Sequence, residues 1–373
     1  MDRDFIGLMA EAGSRWPRGS ATLGAIVALS IALLIAFAPA RRGAEAKDGL
    51  PLTAPLPDRV PPGVVLRVGD PVMRWVFEHN GWDKQLPFRI EWAEISGGPE
   101  VTEAFHAGAL DVGFGASVPP IHAAWTGIPV RIIGFREYAD RGARQAFIFG
   151  IAPHAQVRTI ADLRGKRIAF SPSQVQAQVV IETLKVAGIR RDEVTLVELP
   201  SSIGGDVYTN ALASGAIDVA PIRADLVAQH YLRDYGPKGA RLLRHPPFRD
   251  DGGSIYVPET ALADPGKAAA LRIFAQYWGR NWAWINTHQE ELARGYYAGK
   301  RGLPIADARI MARYIGDVVV PRNWAAAIAY EQAAIDTLGP ETKRPRLDAA
   351  SLFDRRFESI AADGFTAAQG NRS

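Results

Sequence analysis

The 373-residue sequence contains no cysteine, which excludes disulfide bonds, thiolate metal ligands and cysteine nucleophiles together. It also lacks a strong excess of one charge, because 43 Lys and Arg oppose 40 Asp and Glu for a formal net charge of +3. No basic block is interleaved with aromatic residues, so the composition does not indicate nucleic-acid binding. Hydrophobic residues form 47% of the chain, enough for one large domain or two α/β lobes.

Sequence motifs of the common enzyme classes are missing as well. The chain has no H-E-x-x-H, Walker, G-x-S-x-G or G-x-G-x-x-G pattern. Its seven histidines show no close spacing of the kind that holds a metal ion. We therefore expect no metal, no cofactor and no catalytic residue.

One long apolar run lies near the N-terminus, from Gly19 to Ala40. It carries no charged residue, follows Arg15 and Arg18, and ends in small residues typical of a cleavage site. The run is long for the apolar part of a signal peptide and just long enough to span a bilayer. Residues 1–40 therefore predict export, through either a cleaved signal peptide or a retained membrane anchor.

The rest of the chain divides by composition into a tether and a folded body. Residues 41–63 are rich in Pro, Ala and charge, which predicts an extended tether. From Val64 onward, strands alternate with helices, as is typical of α/β folds with largely parallel sheets. The C-terminal helices are expected to pack around the first part of this body.

A strand-loop-helix pattern occurs twice in the body, about a hundred residues apart. The first copy ends in Ala107-Gly-Ala-Leu-Asp-Val112, and the second in Ser214-Gly-Ala-Ile-Asp-Val219. Two similar units in one chain indicate two lobes with a cleft between them, and such clefts are preferred ligand sites.

Loops of small and hydroxyl residues stand between strand ends and helix starts in both lobes. In open α/β sheets, ligands bind at this edge, where free N–H groups of helix N-termini can receive an anion. An alternative is that the serines only cap helices. The predicted binding loops contain Ser96, Gly97, Gly98, Gly115, Ala116, Ser117, Ser171, Ser173 and Gln174.

Charged residues next to the same strand ends complete the predicted site. Arg74 and Arg223 are candidate partners for an anion, and Arg223 directly follows a predicted strand. Asp70 would repel an anion at the opening of the predicted cleft unless its carboxylate pairs with Arg74 or with a ligand amine. Both arginines could instead be solvated side chains.

From about Val64 to Leu338 the chain resembles the periplasmic substrate-binding proteins of ABC importers, in the aliphatic sulfonate, taurine and nitrate group. The resemblance rests on stretches including Leu66-Arg-Val-Gly-Asp70, Ser96-Gly-Gly-Pro-Glu-Val-Thr-Glu-Ala-Phe105 and Asp162-Leu-Arg-Gly-Lys-Arg-Ile-Ala-Phe-Ser171. It implies a two-lobed type II periplasmic-binding-protein fold, each lobe a mostly parallel sheet flanked by helices, joined by a two-segment hinge. We expect residues 64–150 in the first lobe, 151–247 in the second, and 248–373 returning to the first.

The resemblance further implies a function in transport. It predicts a monomeric periplasmic protein that captures a small organosulfur anion and delivers it to an ABC permease with its ATPase. The first loop and the Pro221-Ile-Arg223 turn depart from the pattern expected for sulfonate binders, so nitrate or a thiamine-precursor pyrimidine is an alternative ligand. Two alternative functions of other classes are an enzyme and a sensor anchored in the inner membrane.

Overall fold

The computed structural model describes residues 49–95, 97–140, 143–200 and 206–370. The predicted signal peptide or anchor lies outside these ranges, as do Ser96 and residues 201–205. No helix within the ranges combines the length and hydropathy that crossing a bilayer requires. Residues 49–63 form no strand or long helix, yet Leu52, Leu56 and Val60 pack against the core. This part of the predicted tether is therefore attached to the body, because its apolar side chains are buried there.

Six strands form the first sheet, in the order β11-β4-β10-β3-β1-β2. Parallel pairing joins β1 to β2 and to β3, whereas β10 runs antiparallel to β3 and β4. The strands are β1 (Val65–Gly69), β2 (Arg89–Ala93), β3 (Val112–Ala116), β4 (Val130–Tyr138), β10 (Gly253–Pro258) and β11 (Val318–Val319).

Five strands form the second sheet, in the order β7-β6-β8-β5-β9. Here β6 pairs parallel with β7 and β8, and β5 pairs antiparallel with β8 and β9. The mostly parallel sheets expected from the sequence are thus mixed sheets, because each contains a strand that enters from the other. The strands are β5 (Phe147–Ile151), β6 (Arg167–Phe170), β7 (Thr195–Glu198), β8 (Val219–Arg223) and β9 (Arg241–Leu243).

Helices cover both sheets. Their starts follow local sequence signals: Asp264 accepts hydrogen bonds from the first-turn amides of α8, and Thr159 with Asp162 forms the predicted capping box. The α-helices are α1 (Pro71–Asn80), α2 (Gly98–His106), α3 (Val118–Trp125), α4 (Val175–Val186), α5 (Asp206–Ala213), α6 (Leu226–Tyr235), α7 (Glu259–Ala263), α8 (Pro265–Thr287), α9 (Gln289–Leu292), α10 (Ile305–Ile315), α11 (Ala325–Glu341) and α12 (Ile360–Gly370). A π-helix spans Ala293–Lys300, and 3-10 turns occupy Asp83–Gln85, Ile160–Leu163, Arg191–Glu193, Gly236–Lys238, Ala349–Leu352 and Arg355–Phe357.

The aspartate of the repeated pattern has the same structural role in both lobes. Asp111 accepts hydrogen bonds from the backbone N–H of Arg67, at 3.0 Å, and from its guanidinium, at 2.9 Å. Asp218 does the same with Arg167, at 2.8 Å and 2.9 Å. Each arginine also donates to the carbonyl of the glycine in its own copy, Gly108 or Gly215. The two aspartates therefore fix the arrangement of neighbouring strands in the same way in each lobe.

The chain crosses between the sheets twice, after β4 and after β9. Asp250 on the second crossing accepts hydrogen bonds from the backbone N–H groups of Ala146, the last residue of the first crossing, and Phe147, the first residue of β5, at 3.0 Å and 2.7 Å. Asp251 accepts one from the N–H of Tyr138, at 2.6 Å. The first crossing ends before Phe147, so the predicted boundary at residue 150 falls inside β5, a strand of the second sheet.

Candidate functional site

The carboxyl ends of five strands provide the positions around the cleft. In the first sheet, Asp70 follows β1, Ser117 follows β3, and Arg136 lies near the end of β4. Gly253 pairs with both Ala116 and Arg136, which puts these two positions side by side across β10. In the second sheet, Ser171 follows β6 and Arg223 ends β8. The loops predicted from the sequence therefore do stand at strand ends.

Asp70 has a structural role at the start of α1. Its carboxylate accepts a hydrogen bond from the backbone N–H of Met73 at 2.9 Å, which caps the helix, and Pro71 occupies the first turn. Burial raises the pKa of Asp70 to about 6, although the amides of Met73 and Val72 and the charge of Arg136 lower it. Asp70 is therefore held by backbone amides and not by Arg74.

Gly98 and Gln174 meet across the two lobes. A methyl group built on Gly98 would lie 3.0 Å from Nε2 of Gln174 and 2.9 Å from Pro119, so only glycine fits there without displacement. Gly97 occupies the N-cap position of α2 with φ = 94°, a conformation that favours glycine. Ser96 lies outside the described residues. Two predicted site residues, one from each lobe, are thus in contact.

Ser117, Ser171 and Ser173 do not act as helix caps. Ser117 stands at the start of α3, is fully buried, and makes no capping hydrogen bond. Its hydroxyl has no hydrogen-bond partner among the described residues. In the second lobe Gln174 occupies the N-cap position of α4, so Ser173 lies outside that helix, while Ser171 is buried beside the phenol of Tyr208. The alternative that Ser117 and Ser173 only cap helices therefore does not hold.

The two predicted arginines are both engaged by carboxylates. Arg74 forms ion pairs with Glu78 at 2.7 Å and Glu94 at 3.0 Å, on the surface of the first lobe. Arg223 pairs with Asp225 and lies over the ring of Tyr314, with 5.3 Å from its guanidinium carbon to the ring centroid. Although burial opposes the charge, the carboxylate of Asp225 raises the pKa of Arg223 overall. Their charges are already balanced within the protein.

Arg136 is the cation that the sequence reasoning missed. Its guanidinium carbon lies 4.9 Å from the ring centroid of Trp282, 5.7 Å from that of Phe114 and 5.6 Å from that of Tyr138. It donates one hydrogen bond to the carbonyl of Asp251, at 3.3 Å. No carboxylate forms an ion pair with it among the described residues, and its Nε has no hydrogen-bond partner there.

The backbone of Gly253 makes room for this arginine. A methyl group built at Gly253 would lie 2.8 Å from Nε and 3.0 Å from Cζ of Arg136. The side chain can therefore cross β10 toward Phe114 and Trp282 only because residue 253 has no side chain. The available signal was a charged residue near the end of the apolar stretch that forms β4, as it was for Arg223 at the end of β8.

The π-helix brings a tyrosine between the two lobes. Burial raises the pKa of Tyr297, and the neighbouring phenol of Tyr296 and the carboxylates of Asp225 and Asp70 raise it further, whereas Arg223 lowers it. The phenol is thus close to the strand ends of both sheets. The π-helix has eight residues, and such insertions occur often at functional sites.

Comparisons with known proteins give a consistent relationship. Residues 78–239 match the family model described as NMT1/THI5 like. A curated aliphatic sulfonates-binding protein of Escherichia coli (strain K12) is 23% identical over 261 residues, which cover 69% of this chain and 76% of that protein. These matches confirm the family resemblance predicted from the sequence.

Solved structures share the fold. The alkanesulfonate-binding protein SsuA from Xanthomonas axonopodis pv. citri, bound to MOPS, superposes with a TM-score of 0.63 at 22% identity, covering 80% of this chain and 99% of that one. The desulfurization enzyme DszB superposes with a TM-score of 0.53 at 14% identity, covering 83% and 99%. The periplasmic-binding-protein fold expected from the sequence is thus confirmed, and the fold carries both binding proteins and an enzyme.

Proposed function

We propose that this relative of the sulfonate-binding proteins is an exported solute-binding protein of an ABC importer. It captures a small organosulfur anion, such as an aliphatic sulfonate, between its two lobes and delivers the anion to a membrane permease. Binding without turnover fits a chain that has no cysteine and none of the common catalytic motifs. Nitrate and a thiamine-precursor pyrimidine are the competing ligands on the same fold.

The half-buried guanidinium of Arg136 is the observation that carries this proposal. A cation with no ion-pair partner among the described residues is costly unless something else compensates it. Arg136 stands at the same sheet edge as Ser117, whose buried hydroxyl has no partner in the described part of the chain. Guanidinium and hydroxyl groups are suitable donors to a sulfonate, because both can hydrogen-bond its oxygens. Phe114 and Trp282 supply apolar surface for the carbon part of the ligand.

Capture requires the lobes to move relative to each other. The two crossings are short, and Arg223 of the second lobe already contacts Tyr314 of the returning segment. A ligand that contacts both lobes favours the closed arrangement by its greater affinity for that state. The predicted residues that would contact it are Gly97, Gly98, Gly115, Ala116, Ser117, Ser171, Ser173 and Gln174, with Arg136 as its charge partner.

Export and partnership follow from the N-terminal segment and the relatives. Residues 1–40 have the composition of a signal peptide or anchor, so we place the mature protein in the periplasm, as a monomer that docks on the permease. If the segment is retained, the same lobes are tethered to the inner membrane.

A thermal-shift panel with the purified full-length protein tests the ligand class. The panel contains butane-1-sulfonate, taurine, nitrate, an aryl sulfinate and an aminopyrimidine. A ligand that binds only the folded state raises Tm in proportion to the logarithm of its concentration. We expect the sulfonates to raise Tm by several degrees at about a hundred times Kd. A shift with the pyrimidine and with no anion would contradict the proposal.

A further inference from the structure

Three buried oxygen-bearing side chains, at the start of α3 and within α11, make no hydrogen bond of ordinary geometry among the described residues, although the hydroxyls of Ser117 and Tyr330 lie within reach of each other. They are the hydroxyls of Ser117 and Tyr330 and both carboxyl oxygens of Glu331. Glu331 and Ser117 are each 0% exposed. Burial raises the pKa of Tyr330, Glu331 raises it further, and the Ser117 hydroxyl lowers it, so the three groups are neighbours.

Contacts between α4 and α11 locate Glu331 along the interface of the lobes. Thr337 of α11 donates to Glu182 of α4 at 3.1 Å, and Glu341 lies 3.9 Å from Arg191 beyond the end of α4. The two helices therefore run in the same direction, and both rise by about 1.5 Å per residue. Glu331 lies six residues before Thr337, and the residue six before Glu182 lies in the first turn of α4. Glu331 is therefore level with that turn, next to the contact between Gln174 and Gly98.

The surroundings of Glu331 favour its neutral form. An ionised carboxylate buried without partners is strongly disfavoured. Burial raises the pKa of Glu331 to about 8, although the charge of Arg249 lowers it. Arg249 is itself paired with Glu137 at 2.7 Å and Asp251 at 3.0 Å. The other titratable groups on the helices that pack against α11 are His122 of α3 and Glu182 and Lys185 of α4.

We propose that Glu331 is a specificity-determining residue of the cleft, which donates a hydrogen bond from its neutral carboxyl group to the anionic group of the ligand. A neutral carboxyl carries one O–H donor, as do the hydroxyls of Ser117 and Tyr330. Three uncharged donors beside one guanidinium suit an oxyanion that has three acceptor oxygens and no proton of its own. The inference rests on the proposed function and adds to it a reason why the bound anion is a fully ionised one.

Calorimetric titration with butane-1-sulfonate between about pH 6 and about pH 9.5 tests this role. The probe stays ionised throughout, and arginine does not titrate in this range. For the native protein we expect Kd to rise about tenfold or more as Glu331 loses its proton. Glu331→Gln keeps an N–H donor, so its Kd should stay within about threefold of the native value at pH 6 and change little with pH. Glu182→Gln, in the same helix interface, should follow the native protein.

The unliganded protein gives a second readout that does not depend on binding. Since the pKa of folded Glu331 is raised above its ordinary value, its contribution to stability is present below about pH 4.5 and lost as the pH rises through about 8. Tm of the native protein should therefore fall relative to that of Glu331→Gln across this window. Equal pH profiles of Tm, or a pH-dependent Kd that persists in Glu331→Gln, would overturn the inference alone. Failure of butane-1-sulfonate to bind the native protein at any pH would overturn the proposed function as well.

Discussion

At the scale of single residues, three arginines near the cleft differ in what neutralises them. Arg74 has two glutamates on the surface, and Arg223 has the buried Asp225. Arg136 has aromatic rings and one carbonyl. Because a desolvated cation with no ion-pair partner among the described residues gains most from an incoming anion, Arg136 is the residue at which we expect ligand charge to be recognised, although the carboxyl group of Asp70 lies within electrostatic range of it.

Gly253→Ala should weaken ligand binding without unfolding the protein. The new methyl group would come within 3.0 Å of the Arg136 guanidinium, whose flexible side chain moves away more easily than the strand. We expect a roughly tenfold or larger rise in Kd for the sulfonate and a change in unfolding free energy of at most about 1 kcal/mol. Calorimetry and urea denaturation measure the two effects.

Gly236→Ala provides the matched control for this substitution. Its methyl group would meet only Leu232, at 4.0 Å, and its backbone is already helical. Its affinity should equal that of the native protein. If Gly253→Ala binds as tightly as Gly236→Ala does, Arg136 is not held in place by the absence of a side chain at 253.

The sequence allowed the strand-end positions of most of the candidate loops to be predicted, but not how nearby charges are neutralised. Ser117 and Gln174 follow strands, and a strand end can be recognised from apolar periodicity. Whether an arginine is neutralised depends on residues far away in the chain, as the pair of Arg74 and Glu94 illustrates. Arg136 was missed for this reason, since its surroundings come from four separate elements.

At the scale of elements, Asp70 is both a helix cap and a buried acid. The cap stabilises α1 through the N–H of Met73, whereas burial opposes ionisation of the carboxyl group. Asparagine caps a helix about as well as aspartate and carries no charge. The two effects can therefore be separated by one substitution.

Asp70→Asn should change stability in a pH-dependent way. Because the pKa of folded Asp70 is raised to about 6, the contribution of this group to stability is fully present below about pH 4 and is lost as the pH rises through about 6. The asparagine variant has no such loss, so its Tm should increase relative to that of the native protein over that window. The corresponding difference in unfolding free energy is at most about 3 kcal/mol. Parallel Tm profiles of the two proteins would show that Asp70 is not buried in this way. Asp70→Ala, which lacks the cap, should be less stable than Asp70→Asn at every pH.

Helix and strand positions were predictable where one apolar period dominates. The alternation of strands and helices predicted from Val64 onward is present and begins with β1 at Val65. Strand direction was not predictable, because the antiparallel partners β5 and β10 are brought into place by the two crossings. The C-terminal helices were expected to pack around the first part of the body; α10 also reaches the second lobe, where Asp307 lies 3.2 Å from His230 of α6.

At the scale of the whole molecule, the two crossings connect the two sheets whose strand ends carry the proposed ligand site. Asp250 and Asp251 hydrogen-bond to backbone amides at both ends of the first crossing. The contact between Gln174 and Gly98 is one place where the two lobes approach each other. A ligand that joins Arg136 of the first lobe to α4 of the second would stabilise this approach.

Calorimetric titration of butane-1-sulfonate into the native protein, Arg136→Met and Arg74→Met tests the central claim most directly. The native protein should bind one equivalent with a saturable heat. Loss of a charge-assisted contact of about 1.5–3 kcal/mol should weaken Arg136→Met by roughly ten- to a hundredfold. Arg74→Met, whose arginine is already paired on the surface, should bind as the native protein does. Equal affinities of the native protein and Arg136→Met, or weaker binding only in Arg74→Met, would contradict the account.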